Sequence, residues 1–191
     1  MLNLYIIGGA NGSGKTTSAL QILPYFLEVF EYINADEIAA GLSPFNPESV
    51  AIQAGRLMLE RLASLVEAQV DFAFETTLAT RSYARFLRNC KNKGYQINLI
   101  YFWLQSPELA TARVRRRVES GGHNIPEDVI RRRYERGRKN LTDLYLPLCN
   151  RWIVYDNSSL NLQIIAECPL NQDPIIYQPQ LWTQILTSND E

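Results

Sequence analysis

The chain has 191 residues, 46% of them hydrophobic and 20% charged, with a formal net charge of -1. That length supports one sizeable core, and so even a charge balance excludes a general attraction to nucleic acid or membrane surfaces. Cys90, Cys149 and Cys168 are single and far apart, which fits neither a metal knuckle nor a disulfide framework, so reduced thiols and a cytoplasmic setting are expected. No charged leader, lipidation motif or membrane-length apolar run is legible.

The run Leu2 to Gly8 predicts a first strand, and it leads straight into Gly8-Gly9-Ala10-Asn11-Gly12-Ser13-Gly14-Lys15-Thr16-Thr17. From Gly9 to Thr16 the spacing is G-x-x-x-x-G-K-T, the pattern of a phosphate-binding loop. Backbone N–H groups of Ala10 to Thr17 are expected to curl around an ATP phosphate. Lys15 offers a point charge to the β and γ phosphates, and Thr16 a hydroxyl to Mg²⁺. Thr17 to Leu23 then continue as a helix whose N-terminus adds partial positive charge at the same place.

Further β-rich runs, Glu31 to Ala35, Asp71 to Thr76, Gln96 to Leu104 and Trp152 to Asp156, alternate with helical patterns, as in a parallel sheet with crossover helices. Gln96 to Leu104 is apolar on both faces and is expected to be central. Asn46-Pro47-Glu48 opens a helix running to about Gln69, with Leu57, Leu59, Leu62, Leu65 and Val66 expected in the core. Another helix runs from Thr80 to a left-handed cap at Gly94. Ser106-Pro107-Glu108 starts a helix that ends at Gly121-Gly122, and Ile125-Pro126-Glu127 starts the next. Leu162 to Glu167 and Ile175 to Gln178 predict a C-terminal hairpin, and Leu181 to Leu186 a last short helix. The expectation is one α/β domain over residues 1 to 191 with a three-layer P-loop NTPase fold. Its elements are a mostly parallel five-stranded sheet of kinase type, an arginine-rich helical lid over about residues 106 to 146, and a small hairpin.

Ligands in open α/β sheets sit at the carboxyl ends of the strands, so Asp36, after Tyr32-Ile33-Asn34-Ala35, is expected in the cleft beside the phosphate loop. It is either the base that takes a hydroxyl proton in phosphoryl transfer or a cap for the helix Glu37 to Ala40. Phe72-Ala73-Phe74-Glu75-Thr76-Thr77 ends the same way. Glu75 and Thr77 are candidates for binding an acceptor, and Glu75 alternatively for reaching Mg²⁺ through water. Arg81 is a candidate for an acidic acceptor group, or simply a solvated first-turn residue. Nine arginines between Arg113 and Arg138 lie astride the glycine break. Such a lid closing over a triphosphate brings guanidinium groups to the transferred charge, and about two to four are expected to do so while others pair with Glu119, Glu127, Asp128 and Glu135. No aromatic platform accompanies the cluster, against a nucleic-acid role. His123 sits at the lid turn, either contacting a phosphate or merely exposed.

The order of these pieces resembles the zeta-toxin-like P-loop kinases, including the related group of predicted ABC-type ATPases. The resemblance rests on Gly8 to Thr16, Asn34-Ala35-Asp36, Phe74-Glu75-Thr76-Thr77 and the arginine-rich stretch ending Lys139-Asn140-Leu141, and covers about residues 1 to 160. Zeta toxins phosphorylate the 3′-hydroxyl of UDP-N-acetylglucosamine or related UDP-sugars. The resemblance therefore implies an ATP-dependent kinase with Asp36 as base, Glu75 and Thr77 as sugar-binding groups, and Arg113 or Arg117 holding the transferred phosphate. The sequence departs at the second lid arginine, where His123 falls near its place and Arg131 to Arg133 follow a turn or more later. The chain is shorter than many such toxins, so toxicity and an antitoxin partner do not follow from the match. No LSGGQ-type segment is present, against a transporter-type ATPase. A regulatory module that binds ATP without transfer, and a nucleotide or polynucleotide kinase, stay open as alternatives.

Overall fold

A computed structural model describes residues 1–122 and 124–187; His123 lies outside the described residues. The elements run β1 (Leu2–Gly9), α1 (Lys15–Phe26), β2 (Tyr32–Ile33), α2 (Ala35–Leu42), a 3-10 turn (Pro47–Val50), α3 (Ala51–Ala68), β3 (Phe72–Thr76), α4 (Ser82–Asn92), β4 (Tyr95–Trp103), α5 (Pro107–Glu119), α6 (Glu127–Asn140), β5 (Arg151–Asp156), β6 (Gln163–Cys168), β7 (Ile175–Ile176) and α7 (Pro179–Leu186). They build one seven-stranded sheet in the order β2-β3-β1-β4-β5-β6-β7. The five expected strands are the parallel part of it. The two C-terminal runs form the expected hairpin, β7 antiparallel to β6, and it extends the same sheet, with β6 pairing antiparallel to the free edge of β5. An edge left unpaired would template other chains, and the antiparallel strands cover it.

Alternate residues of β1 serve opposite layers, as the two-residue period of a strand requires. Ile7 packs with Ala19 and Leu23 of α1, whereas Leu4 and Ile6 pack with Met58 and Leu62 of α3 and Leu87 of α4. β4 lies at the centre, with Ile97, Leu99, Tyr101, Phe102 and Trp103 buried. The expected core face of α3 needs correction. Ala54, Met58, Leu62, Leu65 and Val66 are buried, following the helical repeat, while Leu57 and Leu59 are 37% and 47% exposed on its flanks. The long helix expected from Pro47 also begins as a separate 3-10 turn. Among the described residues no helix is long and apolar enough to cross a membrane.

The two lid helices have their own small core, in which Val114 of α5 and Ile130 and Tyr134 of α6 pack with Ala10 and Leu104. The far end of α6 docks on the loop after β3. A Cβ on Gly137 would lie 2.2 Å from the Thr77 carbonyl oxygen, and Asn140 Nδ2 donates to Leu78 O at 2.8 Å. Only a residue without a side chain permits that approach, so Gly137→Ala is expected to cost about 1–3 kcal/mol by overpacking against backbone. At about 2–4 °C per kcal/mol for a chain of this size, thermal unfolding monitored by circular dichroism should drop by roughly 2–12 °C. An unchanged midpoint would mean that α6 is free to lift off the loop.

Candidate active site

β1 ends in the phosphate loop, whose path depends on glycine. Gly9 has φ +145°, and a Cβ there would stand 2.4 Å from Phe102 O; Gly14 has φ +84° where it caps α1. Lys15, buried, donates from Nζ to Ala10 O at 2.8 Å and lies 3.6 Å from Glu75 Oε1. Burial lowers its pKa, an effect that the Glu75 and Asp36 carboxylates oppose. Ser13 Oγ and Asn11 Oδ1 are buried without a hydrogen-bond partner. A buried cation and an orphaned hydroxyl inside a loop of this shape fit a phosphate group, which meets both.

Glu75, near the end of β3, receives hydrogen bonds at Oε2 from Thr16 Oγ1 (2.8 Å), Tyr32 OH (2.5 Å) and Asn34 Nδ2 (3.2 Å). Burial raises the Tyr32 pKa and the adjacent carboxylate adds to it, so Tyr32 stays a neutral donor. Thr16 Oγ1, backed by Glu75, is the group that could ligate Mg²⁺. Among the described residues no group of three or more His, Cys, Asp and Glu is gathered for a metal.

Asp36 is not at the end of a strand, as expected, but in the first turn of α2, because β2 is only two residues long. Nor does it cap that helix: Asn34 does, accepting the Asp36 backbone N–H at 2.9 Å. The Asp36 carboxylate is thereby left for the cleft. There two cavities meet, both lined by Asn11, Lys15, Asp36 and Glu75. One, of about 300 Å³, lies over the phosphate loop with Gly12, Gly14, Thr16, Thr17, Arg113 and Arg117. The other, of about 330 Å³, opens toward Thr77, Thr80 and Tyr83 on one side and Arg132, Arg133 and Arg136 of α6 on the other.

Lys15, Thr16, Asp36, Glu75, Thr77, Arg113 and Arg117 are thus brought together, with Arg113 Nη2 donating to Ser158 O at 3.1 Å. Arg81 is not brought in; it is exposed beside the start of α4 and lines neither cavity. Three contributors went unread in the sequence. Tyr32 and Asn34 hold Glu75, and Asn157 Nδ2 donates to Ser13 O at 2.8 Å, tying the turn after β5 to the phosphate loop. Their signal was position alone, since each polar residue lies at or just past the carboxyl end of a parallel strand.

The fold recurs in solved structures. A crystal structure of AvrRxo1-ORF1:-ORF2 with ATP aligns with a TM-score of 0.82 at 14% identity over 100% of this chain, which spans 65% of that one. The structure of the PezAT chromosomal toxin-antitoxin system of Streptococcus pneumoniae aligns with a TM-score of 0.60 at 20% identity, over 84% of this chain and 71% of that one. In sequence, an uncharacterized protein of Haemophilus influenzae (strain ATCC 51907 / DSM 11121 / KW20 / Rd) is 33% identical over 132 residues, 66% of this chain and 88% of the relative. The zeta toxin family model matches residues 3–162, the stretch from β1 through the end of β5 that carries every group at the junction of the two cavities. The chain, with its kinase-like P-loop fold, belongs to the zeta toxin family.

Proposed function

We propose that the protein transfers the terminal phosphoryl group of ATP to a hydroxyl of a small molecule, with UDP-N-acetylglucosamine or another UDP-sugar as the first acceptor to test. One observation carries this reading: Asp36 lines both the cavity over the phosphate loop and the one that opens away from it. A carboxylate at that junction is where a base must stand to serve an acceptor in one cavity and a phosphate in the other.

In this mechanism Lys15 and the loop amides hold the β and γ phosphates. Asp36 accepts the acceptor's hydroxyl proton as its oxygen bonds to the γ phosphorus and the bridging oxygen leaves with ADP. Arg113 and Arg117 meet the charge on the transferred group. The Thr16 hydroxyl would hold Mg²⁺, which would supply neutralisation of the phosphate charge. Glu75 fixes the Thr16 hydroxyl, and Tyr32 and Asn34 fix Glu75. Thr77 lies on the acceptor side.

The test is incubation with ATP labelled at the γ phosphate, Mg²⁺ and a panel of hydroxyl metabolites headed by UDP-N-acetylglucosamine, read by label transfer and product mass. The expected result is a hydroxyl compound that gains one phosphate. ATP binding with no compound labelled across the panel would overturn transfer and leave nucleotide capture alone.

A further inference from the structure

The lid arginines fall into distinct sets. Arg115 and Arg131 pair with Glu127, Arg131 also with Glu108, and Arg138 is buried against Glu135 and the carbonyls of Gln184 and Ile185. These hold the lid and the C-terminal helix in shape. Arg113 and Arg117 line the cavity over the phosphate loop. Arg132, Arg133 and Arg136 do neither. All three line the acceptor-side cavity and none the cavity over the phosphate loop, Arg133 also facing a smaller cavity beside α2, and among the described residues none has a hydrogen bond or ion pair.

Their place is set by the docking of α6. Gly137 against Thr77 O and Asn140 on Leu78 O pin the helix to the loop after β3, and Arg133 and Arg136 stand within about a turn of Gly137. Leu78 is buried with φ +58°, a costly conformation for leucine, so the packing that fixes this loop is specific. The cavity therefore has guanidinium groups on one wall and the hydroxyls of Thr77 and Thr80 on the other. Of its two carboxylates, Glu75 is already met by Lys15 and three donors, which leaves Asp36 alone against three guanidinium groups. A neutral acceptor would leave that excess of positive charge beside the base unanswered.

We infer that Arg132, Arg133 and Arg136 form an anion subsite for the acceptor, so that the molecule phosphorylated carries an oxyanion group, a phosphate ester or a carboxylate, beside its reacting hydroxyl. This rests on the transfer reading above and narrows it to acidic acceptors. Guanidinium groups suit either oxyanion because their paired N–H donors match two oxygens at once.

The experiment saturates the full chain with Mg²⁺ and a non-hydrolysable ATP analogue, which fills the phosphate loop, and titrates it by calorimetry with inorganic phosphate and, separately, with succinate. A second anion is expected to bind; tighter phosphate points to a phosphorylated acceptor and tighter succinate to a carboxylated one, and either supports the subsite. Arg133→Gln with Arg136→Gln should weaken that anion at least about tenfold, as loss of hydrogen bonds to a charged group does, with the analogue's Kd within about twofold. Arg115→Gln, on the lid but off the cavity, should change neither, and thermal melts check that each variant is folded. Absence of a second anion site, or an equal loss of analogue affinity in the double variant, overturns the inference, the latter by assigning these arginines to the triphosphate. Phosphoryl transfer to a neutral polyol without anion binding would sink the subsite and leave the kinase. Anion binding without transfer to any acceptor would sink the kinase and leave the subsite.

Discussion

Asp36→Asn is expected to bind ATP within about twofold of the natural protein and to transfer its phosphate roughly 10²–10⁴-fold more slowly, the span that a positioned general base contributes. The substitution keeps the side chain's size and removes only its charge and proton affinity. It leaves the fold alone, because the contact that sets the start of α2 uses the Asp36 backbone N–H and the Asn34 side chain. Asp36 is exposed in the first turn of α2, so the lost charge costs at most the small favourable term of an acidic residue near a helix N-terminus, about 0.3–1 kcal/mol. Binding should survive because the phosphates are held by the loop amides and Lys15 rather than by a carboxylate of like sign. Removing that carboxylate brings no gain in transfer, since a hydroxyl that keeps its proton is a poor nucleophile. The measurements are the transfer rate at saturating ATP and the Kd of the non-hydrolysable analogue. Full transfer by Asp36→Asn would remove the base from the mechanism and hand proton acceptance to water or to the phosphate itself.

The parts of the site that were legible in sequence are those whose chemistry is local. The phosphate loop is one contiguous stretch, and its glycines, Lys15 and Thr16 are dictated by backbone geometry within ten residues. Glu75 was legible by a topological rule, since polar residues at the carboxyl ends of parallel strands face one cleft, and Asp36 reaches the same cleft from the first turn of α2, three residues past the end of β2. What could not be read depends on distance across the sheet. Tyr32 and Asn34 lie some forty residues from Glu75 in the chain, and only the parallel pairing of β2 with β3 sets them beside it. Asn157 is 144 residues from Ser13, and reads locally as a turn. The nine lid arginines look alike in sequence. Which of them hold the lid and which line each cavity is decided by how α5 and α6 pack, and for α6 the docking of Gly137 on Thr77 has no local signature beyond the glycine itself. The pairing of β6 on β5 was missed for the same reason, because an antiparallel return to a sheet edge and a free hairpin share one pattern of alternation.

Lys15→Met separates what the lysine does for catalysis from what it costs the fold. Lys15 is buried, and desolvation lowers its pKa below the ordinary 10.5 even with Glu75 at 3.6 Å. Charged and without nucleotide, it is therefore a load on the folded state, and a methionine of similar length lifts it. Glu75 is not stranded by the change, since Thr16, Tyr32 and Asn34 still donate to Oε2. The melting temperature of Lys15→Met should equal or exceed that of the natural protein. The pH dependence has a definite sign. Between the lowered folded pKa and 10.5 the unfolded chain binds more protons than the folded one, so the natural protein gains stability as pH rises through that window, and Lys15→Met loses that gain. Transfer should move the opposite way to stability. Loss of one preorganised positive group aimed at the developing charge costs about 10²–10³ in rate, and the analogue should also bind more weakly, because the cation that met the phosphates is gone. Urea unfolding across the alkaline range and transfer kinetics on the same preparation check both halves. Active Lys15→Met would show that the loop amides suffice, whereas a destabilised one would show that the ammonium group, through Ala10 O and Glu75, is a structural tie rather than a reserve of charge kept for the phosphate.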